Sequence, residues 1–268
     1  MNTPRQRSSK MPRMLVEERR RHIVEQVEAD GRATVEDLAK RFRISAVTIR
    51  GDLEALARAG AITRSHGGAL PASVARIDTP LTVKETRRLA EKRRIGSAAS
   101  KLISNGETII LDSGSTTVEI ARCIRQRKWQ SLTVITNALN IALELNGLNG
   151  VRVMMLGGML RPTSYSLAGP DAEQALSKLS ADRLFLGVDG LDPLIGVTTP
   201  DPQEATLNAL MVRVSRETVA VLDASKLGQR SLSVIAPVTK LDVVITDTTA
   251  SRESTEALRE KGVQVMLV

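Results

Sequence analysis

Thr34-Val35-Glu36-Asp37-Leu38-Ala39-Lys40-Arg41-Phe42-Arg43-Ile44-Ser45-Ala46-Val47-Thr48-Ile49-Arg50-Gly51-Asp52-Leu53 reads as two short helices and the turn between them. A Thr with an acidic residue three places on is a capping-box-like helix start. Val35, Leu38, Ala39 and Phe42 then share one apolar helical face. Only Arg43 and Ile44 stand before Ser45, a natural N-cap for the next helix. In that helix Ile49, Leu53 and Leu56 fall at i, i+4 and i+7, which leaves Ser45, Ala46, Thr48, Arg50 and Gly51 on other faces; Gly60 closes it. Two helices so joined make a helix-turn-helix, in which the first braces the second and the second brings its amino-terminal residues to base edges in the major groove. Ser and Thr suit bases or phosphates, and Arg50 suits a guanine edge or the backbone.

On the amino-terminal side, Val16 to Ala29 reads as a further helix, with Ile23 and Val27 at i, i+4 and Gly31 beyond its end. On the other side, Ala61 to Leu70 alternates like a short strand broken by Gly67-Gly68, a β-wing that sets Arg64 and His66 against phosphate. The expected DNA-contact set is Thr34, Ser45, Ala46, Thr48, Arg50 and Gly51, with Arg64, His66 and Gly67 from the wing. Recognition is expected from helix 45–58 and wing 61–70.

The charge agrees with this placement. Residues 1–94 carry 21 Lys and Arg against 12 Asp and Glu, a net +9, whereas residues 95–268 carry 17 against 18, a net −1. A basic front on a near-neutral body is the electrostatic footprint of a nucleic-acid-binding module with a second domain, although a solvated basic surface would give the same count. The expected organisation is a flexible basic terminus (1–13), a winged helix-turn-helix (14–70), a linker (71–84) and a second domain (85–268). Pro71 to Pro80 is small and proline-punctuated, and the basic run from Val83 to Arg94 is read as a solvated helix, or else as a supplement to DNA affinity or a fit to an acidic neighbour in an oligomer.

Composition excludes several classes. No apolar run approaches the ~18 residues of a membrane span, and no apolar h-region follows the basic terminus, so neither a membrane protein nor a secretory leader is expected. The single Cys123 excludes an internal disulfide and fits a reducing cytoplasm; its helical spacing makes it a buried small hydrophobe rather than a catalytic thiol. No paired His or Cys has metal-ligand spacing, so neither metal nor cofactor is expected.

Beyond Ile95, helical stretches alternate with aliphatic runs at 108–111, 132–135, 151–156, 183–188, 218–222, 242–245 and 263–267. That alternation implies βαβ units and a mainly parallel sheet, in which ligands bind beyond the carboxyl ends of the strands. The residues there are Asp112, Thr136-Asn137, Gly157-Gly158, Asp189-Gly190 and Asp223. Asp112-Ser113-Gly114-Ser115-Thr116-Thr117 leads straight into a helix and offers N–H and hydroxyl donors at its positive end, a cradle for phosphate or an ordinary helix cap. Asp189 and Asp223 equally suit helix caps or turns, and Lys226 an exposed turn.

Arg19-x3-Ile23-x3-Val27, Ser45-x2-Thr48-Ile49-Arg50-Gly51-Asp52-Leu53 and Arg64-Ser65-His66-Gly67-Gly68-Ala69 resemble the DeoR family of bacterial regulators. Gly51 departs from it, standing where the family carries a basic or polar residue, and a helix-interior glycine costs about 1 kcal/mol relative to Ala. Asp52 is read as structural, orienting a neighbouring Arg, because phosphate repels a carboxylate. Asp112–Thr117, Thr136-Asn137, Leu156-Gly157-Gly158, Gly187–Gly190, Thr198-Thr199, Glu204-Ala205 and Asp223-x-Ser225-Lys226-x-Gly228 resemble the family's sensor domain across residues 85–250.

The resemblance implies a fold similar to ribose-5-phosphate isomerase, with Ser113, Gly114, Ser115, Thr116 and Thr117 on a phosphate and Asp112, Asn137, Asp189, Glu204 and Lys226 around a sugar. Gly158 is added to that effector set from its place past a strand. Asn208 stands where the family often has Lys. The function so implied is a DNA-binding transcriptional regulator, a repressor of carbohydrate-catabolism genes relieved by a phosphorylated sugar and working as a homodimer or homotetramer. The alternative, a sugar-phosphate isomerase or deaminase using carboxylates and Lys226, lacks any histidine in this half: His22 and His66 both lie in the first. An enzyme is therefore not expected.

Overall fold

In the computed structural model, residues 15–58, 61–65, 67–71 and 79–268 are described. The basic terminus 1–13, Gly60, His66 and residues 72–78 of the connector lie outside them. The chain divides into two compact units, residues 1–74 and 75–268.

Among the described residues, unit 1 holds three helices, α1 (Val16–Asp30), α2 (Val35–Phe42) and α3 (Ala46–Arg58), with strands β1 (Ala33–Thr34), β2 (Ile62–Ser65) and β3 (Gly68–Pro71). The residues whose spacing predicts the helices are the ones that meet: Ile23 and Val27 of α1, Val35 and Leu38 of α2, and Ile49, Leu53 and Leu56 of α3 form one core with Ile62 and Ala69. β2 and β3 pair antiparallel as the expected wing, with Arg64 opposite Ala69. β1 adds a third strand beside β3 that the sequence reading did not include.

Unit 2 begins with α4 (Leu81–Thr86) and α5 (Leu89–Ser100). The run from Val83 to Arg94 is therefore two helices rather than one. Arg88 turns the chain with φ of 51°, and Lys92 buries its ammonium against the carbonyls of Lys84 and Arg87 (2.8 Å to the latter). Helix α4 starts inside the stretch read as a linker, with Leu81 buried in this unit.

The chain continues through β4 (Thr108–Leu111), α6 (Ser115–Arg125), β5 (Leu132–Thr136), α7 (Leu139–Leu145), β6 (Val151–Met155), β7 (Met159–Arg161), β8 (Ser166–Ala168), α8 (Pro170–Leu176) and β9 (Ala181–Gly187). It ends with β10 (Gly190–Asp192), β11 (Gly196–Thr199), α9 (Pro202–Val214), β12 (Ser215–Val221), β13 (Ser233–Ala236), β14 (Val243–Thr246), α10 (Arg252–Arg259) and β15 (Gln264–Leu267).

All seven aliphatic runs of the sequence become strands of one sheet, in the order β15-β14-β12-β9-β4-β5-β6, and every pairing within it is parallel. Period-two alternation explains why the runs are apolar throughout: Ile109, Leu111 and Phe185 enter the core on one face, and Ile110, Leu184 and Leu186 the core on the other. The sequence reading did not separate out the antiparallel hairpin β7–β8 or the small sheet β10-β11-β13. The central sheet leaves the carboxyl ends of β4, β5, β9 and β12 side by side, which is where the residues of interest lie.

Candidate functional site

In unit 1 the two helix starts are held by their own side chains. Thr34 Oγ1 accepts the Asp37 N–H at 3.1 Å and donates to Asp37 Oδ2 at 2.6 Å. Ser45 Oγ accepts the Thr48 N–H at 3.1 Å and shares a 2.8 Å hydrogen bond with Thr48 Oγ1. Asp52 is buried, and its two oxygens accept from Arg19 Nε (2.7 Å) and Arg20 Nε (3.0 Å), tying α3 to α1. Thr48, Arg50 and Gly51 are exposed on α3 and Ala46 is half-buried. Arg64 is exposed on β2, and Gly67 stands at the turn into β3. Val47, outside the expected contact set, is 74% exposed in the first turn of α3.

In unit 2 the site is a chain of contacts across the strand ends. Asp112, just past β4, is buried and accepts three hydrogen bonds: from Gly114 N (3.0 Å) and Thr117 Oγ1 (3.0 Å) on Oδ1, and from Gly187 N (2.9 Å) on Oδ2. Asp112 and the buried Thr117 thus brace the loop that leads into α6. The loop lies so close to the end of β9 that a Cβ on Gly187 would come within 2.9 Å of the Gly114 Cα, so both positions require glycine. Ser113, Gly114 and Ser115 are half-exposed, Thr116 is buried, and Gly114 gives α6 no side-chain cap.

Glu204, in the first turn of α9, gathers the next residues. It accepts from Ser166 (3.1 Å), Thr199 (3.4 Å) and Ser113 (3.5 Å), and it pairs with Arg161 at 2.5 Å. Arg161 also pairs with Asp201 at 3.1 Å. Thr199 reaches Asp189 at 3.3 Å, and Asp189 pairs with Lys84 at 2.7 Å. Asp223 accepts from Ser225 N at 3.1 Å and faces Arg88 at 3.5 Å.

Asn137 donates to the Leu167 carbonyl at 3.1 Å, while its buried Oδ1 has no hydrogen-bond partner among the described residues. Asn208, one turn beyond Glu204, has a buried Oδ1 in the same state. Gly158 stands apart from this chain: with φ of 117°, it opens the β7–β8 hairpin where a Cβ would meet the Ala168 oxygen at 2.5 Å. Lys84, Lys92, Arg161 and Asp201 were not in the expected set. Lys84 and Lys92 sit in a basic run that reads as solvent-facing, and Arg161 sits on a hairpin too short to show a pattern.

The charges are mutually adjusted. Burial pushes the Asp112 carboxyl up to about 7, against its three hydrogen bonds and with Glu204 nearby adding to the rise. Burial also favours neutral Asp189, but Lys84 and Lys226, with hydrogen bonds from Lys84 and Thr199, hold it below the ordinary carboxylate range. Burial lowers Lys92 to about 8, with Lys226 and Lys84 adding to the fall and Asp223 opposing it. Shifts of this kind are found both at ligand sites and in structural ion-pair networks, and these lie at the carboxyl ends of the strands, where ligands bind in open parallel sheets. A groove of about 1080 Å³ elsewhere in the unit, between α9 and β13, contains none of these residues.

Comparison with known proteins finds two family models on the chain: a DeoR-like helix-turn-helix domain over residues 19–73 and a DeoR C-terminal sensor domain over residues 87–248. Among curated relatives, a protein provisionally named aga operon transcriptional repressor, from Escherichia coli O157:H7, is 39% identical over 94% of this chain and 93% of its own. The HTH-type transcriptional regulator GlpR of Haloferax volcanii is 39% identical over 94% and 98%. The glycerol-3-phosphate regulon repressor of Escherichia coli K12 is 30% identical over 93% and 98%.

Proposed function

The chain belongs to the DeoR family of DNA-binding transcriptional regulators, and on that premise we propose that it is a repressor of carbohydrate-catabolism genes which a phosphorylated sugar releases from its operator. Unit 1 binds the operator, with α3 in the major groove and the wing against the backbone. The observation that supports the effector reading most is the amino end of α6. Its first turn has no side-chain cap, and it follows directly on Ser113-Gly114, beside a chain of paired carboxylates and cations. A helix amino end with free N–H groups favours an anion. The cations Lys84, Arg161 and Lys226 and the unpartnered oxygens of Asn137 and Asn208 supply donors and acceptors suited to sugar hydroxyls.

In this reading Ser113, Gly114, Ser115 and Thr116 hold the phosphate, while Asp112 and Thr117 fix the loop that presents them. Asp189, Glu204, Lys226 and Asn137 meet the sugar, with Lys84 and Arg161 added and Gly158 setting the hairpin. A single winged helix covers limited DNA, so a homodimer or homotetramer on repeated half-sites is proposed. Binding of effector and of operator then oppose each other by the same free energy.

Gel retardation of the full chain on DNA upstream of neighbouring genes, challenged with phosphorylated sugars, tests the reading. Retention lost with one of them supports it, and retention unchanged by all rejects the effector. Ser115→Asp places a carboxylate where the phosphate would sit; the variant is expected to hold DNA as the parent does and to ignore the effector. A parent-like response would reject the cradle.

A further inference from the structure

On the DNA-facing helix, we propose that Val47 reads the C5-methyl group of a thymine, in room left open by Gly51. The inference rests on the DNA-binding reading of unit 1. Val47 and Gly51 are one turn apart on α3, and Arg50 is three residues from Val47, so the three share a face. That face is opposite to the one that buries Ile49, Leu53 and Leu56.

Most polar groups near it are already engaged. Ser45 and Thr48 are bonded to each other and to the helix backbone. Asp52 is locked between Arg19 and Arg20. On this face of α3, the exposed side chains of Val47 and Arg50 have no hydrogen bond or ion pair among the described residues.

Val47 is apolar, β-branched and 74% exposed. Of the groups that bases present in the major groove, the thymine methyl is the apolar one, and small apolar side chains contact it. A cytosine in its place would lose its N4 hydration against the isopropyl group without gaining a partner. Gly51 gives this contact its space. Nothing lies within 4 Å of where its Cβ would be, so no packing demands glycine there. A bare backbone at that point lets the helix settle close to the groove floor, and a long side chain there would hold it off. Arg50 then lies beside Val47, with its guanidinium free for a neighbouring base edge or phosphate.

The test uses the full chain. A pool of random duplexes is enriched by retention on the protein, and each thymine of the winning sequence is replaced singly by deoxyuridine, which removes only the methyl group. One thymine per half-site is expected to be sensitive, with affinity falling about three- to fivefold, as for one buried methyl. Val47→Ala is expected to bind thymine and deoxyuridine duplexes equally, and Val47→Ile to keep the preference. Because the side chain is exposed, neither variant should alter folding.

If no thymine is sensitive, or if Val47→Ala keeps the parent's discrimination, the proposal is overturned while the DNA-binding reading stands. If no duplex is enriched, that reading fails and the proposal with it.

Discussion

Asp52 and Asp189 are both acidic residues in positively charged surroundings, and they do different work. Asp52 joins α1 to α3 through Arg19 and Arg20. Asp52→Ala leaves the buried Arg19 without a counter-charge, which costs about 3–5 kcal/mol for a buried pair broken on one side. Urea denaturation should show that loss, with DNA affinity falling in parallel. Asp189 is held below the ordinary carboxylate range by Lys84 and Lys226 in spite of its burial. A depressed carboxyl contributes stability that is present above the ordinary range and is lost as pH falls below it. Asp189→Asn should therefore lower Tm near neutrality, and the difference from the parent should shrink toward zero in acid. A difference that grows in acid would contradict this account of the pair. Asp189 was legible in the sequence because it follows a strand end. Lys84 was not, because its carboxylate partner is far along the chain and no local pattern announces a pairing made by the fold.

Elements were legible in proportion to how much of their surface they bury. The inner strands of the parallel sheet show as continuous aliphatic runs because both faces are covered, the edge strands β6 and β15 show as aliphatic runs although they are partly exposed, and α2 and α3 show through their apolar stripes and hydroxyl caps. The hairpin β7–β8 did not show, because Met159-Leu160-Arg161 is three residues long and all but the last are exposed. The break between α4 and α5 did not show because an arginine, Arg88, takes the left-handed turn where a glycine would have marked it. The loop from Asp112 to Gly114 depends on its approach to β9, and Gly187→Ala tests that directly. The added methyl would press on the Gly114 Cα and displace the Ser113–Thr116 turn. DNA binding should persist and the effector response should be lost. A variant with a normal response would show that the position of this loop is not what the effector reads.

At the scale of the molecule, unit 1 (residues 1–74) carries 14 Lys and Arg against 9 Asp and Glu, a net +5, whereas the much longer unit 2 (residues 75–268) carries 24 against 21, a net +3, so positive charge is densest on the DNA-binding unit. The basic front supplies affinity through phosphate contacts, which weaken as salt rises. Unit 2 sets cations against carboxylates, so in the proposed function an arriving phosphorylated sugar would compete for Lys84 and Arg161 with Asp189 and Glu204. The sequence alone identified the family through its motifs. It did not reveal the contacts that join the strand-end residues into one chain, since these link β4, β8, β9, β11 and α9 through side chains distant in sequence. The proposed function requires that this chain of contacts and the DNA-reading helix be coupled. The most direct measurement is operator affinity by fluorescence anisotropy across a titration of phosphorylated sugars, paired with effector affinity by calorimetry with and without operator. Coupling predicts that one phosphorylated sugar weakens operator binding at least about tenfold, that operator weakens that sugar by the same factor, and that the unphosphorylated sugar does neither. Operator affinity unchanged at saturation with the sugar that calorimetry shows to bind would contradict it.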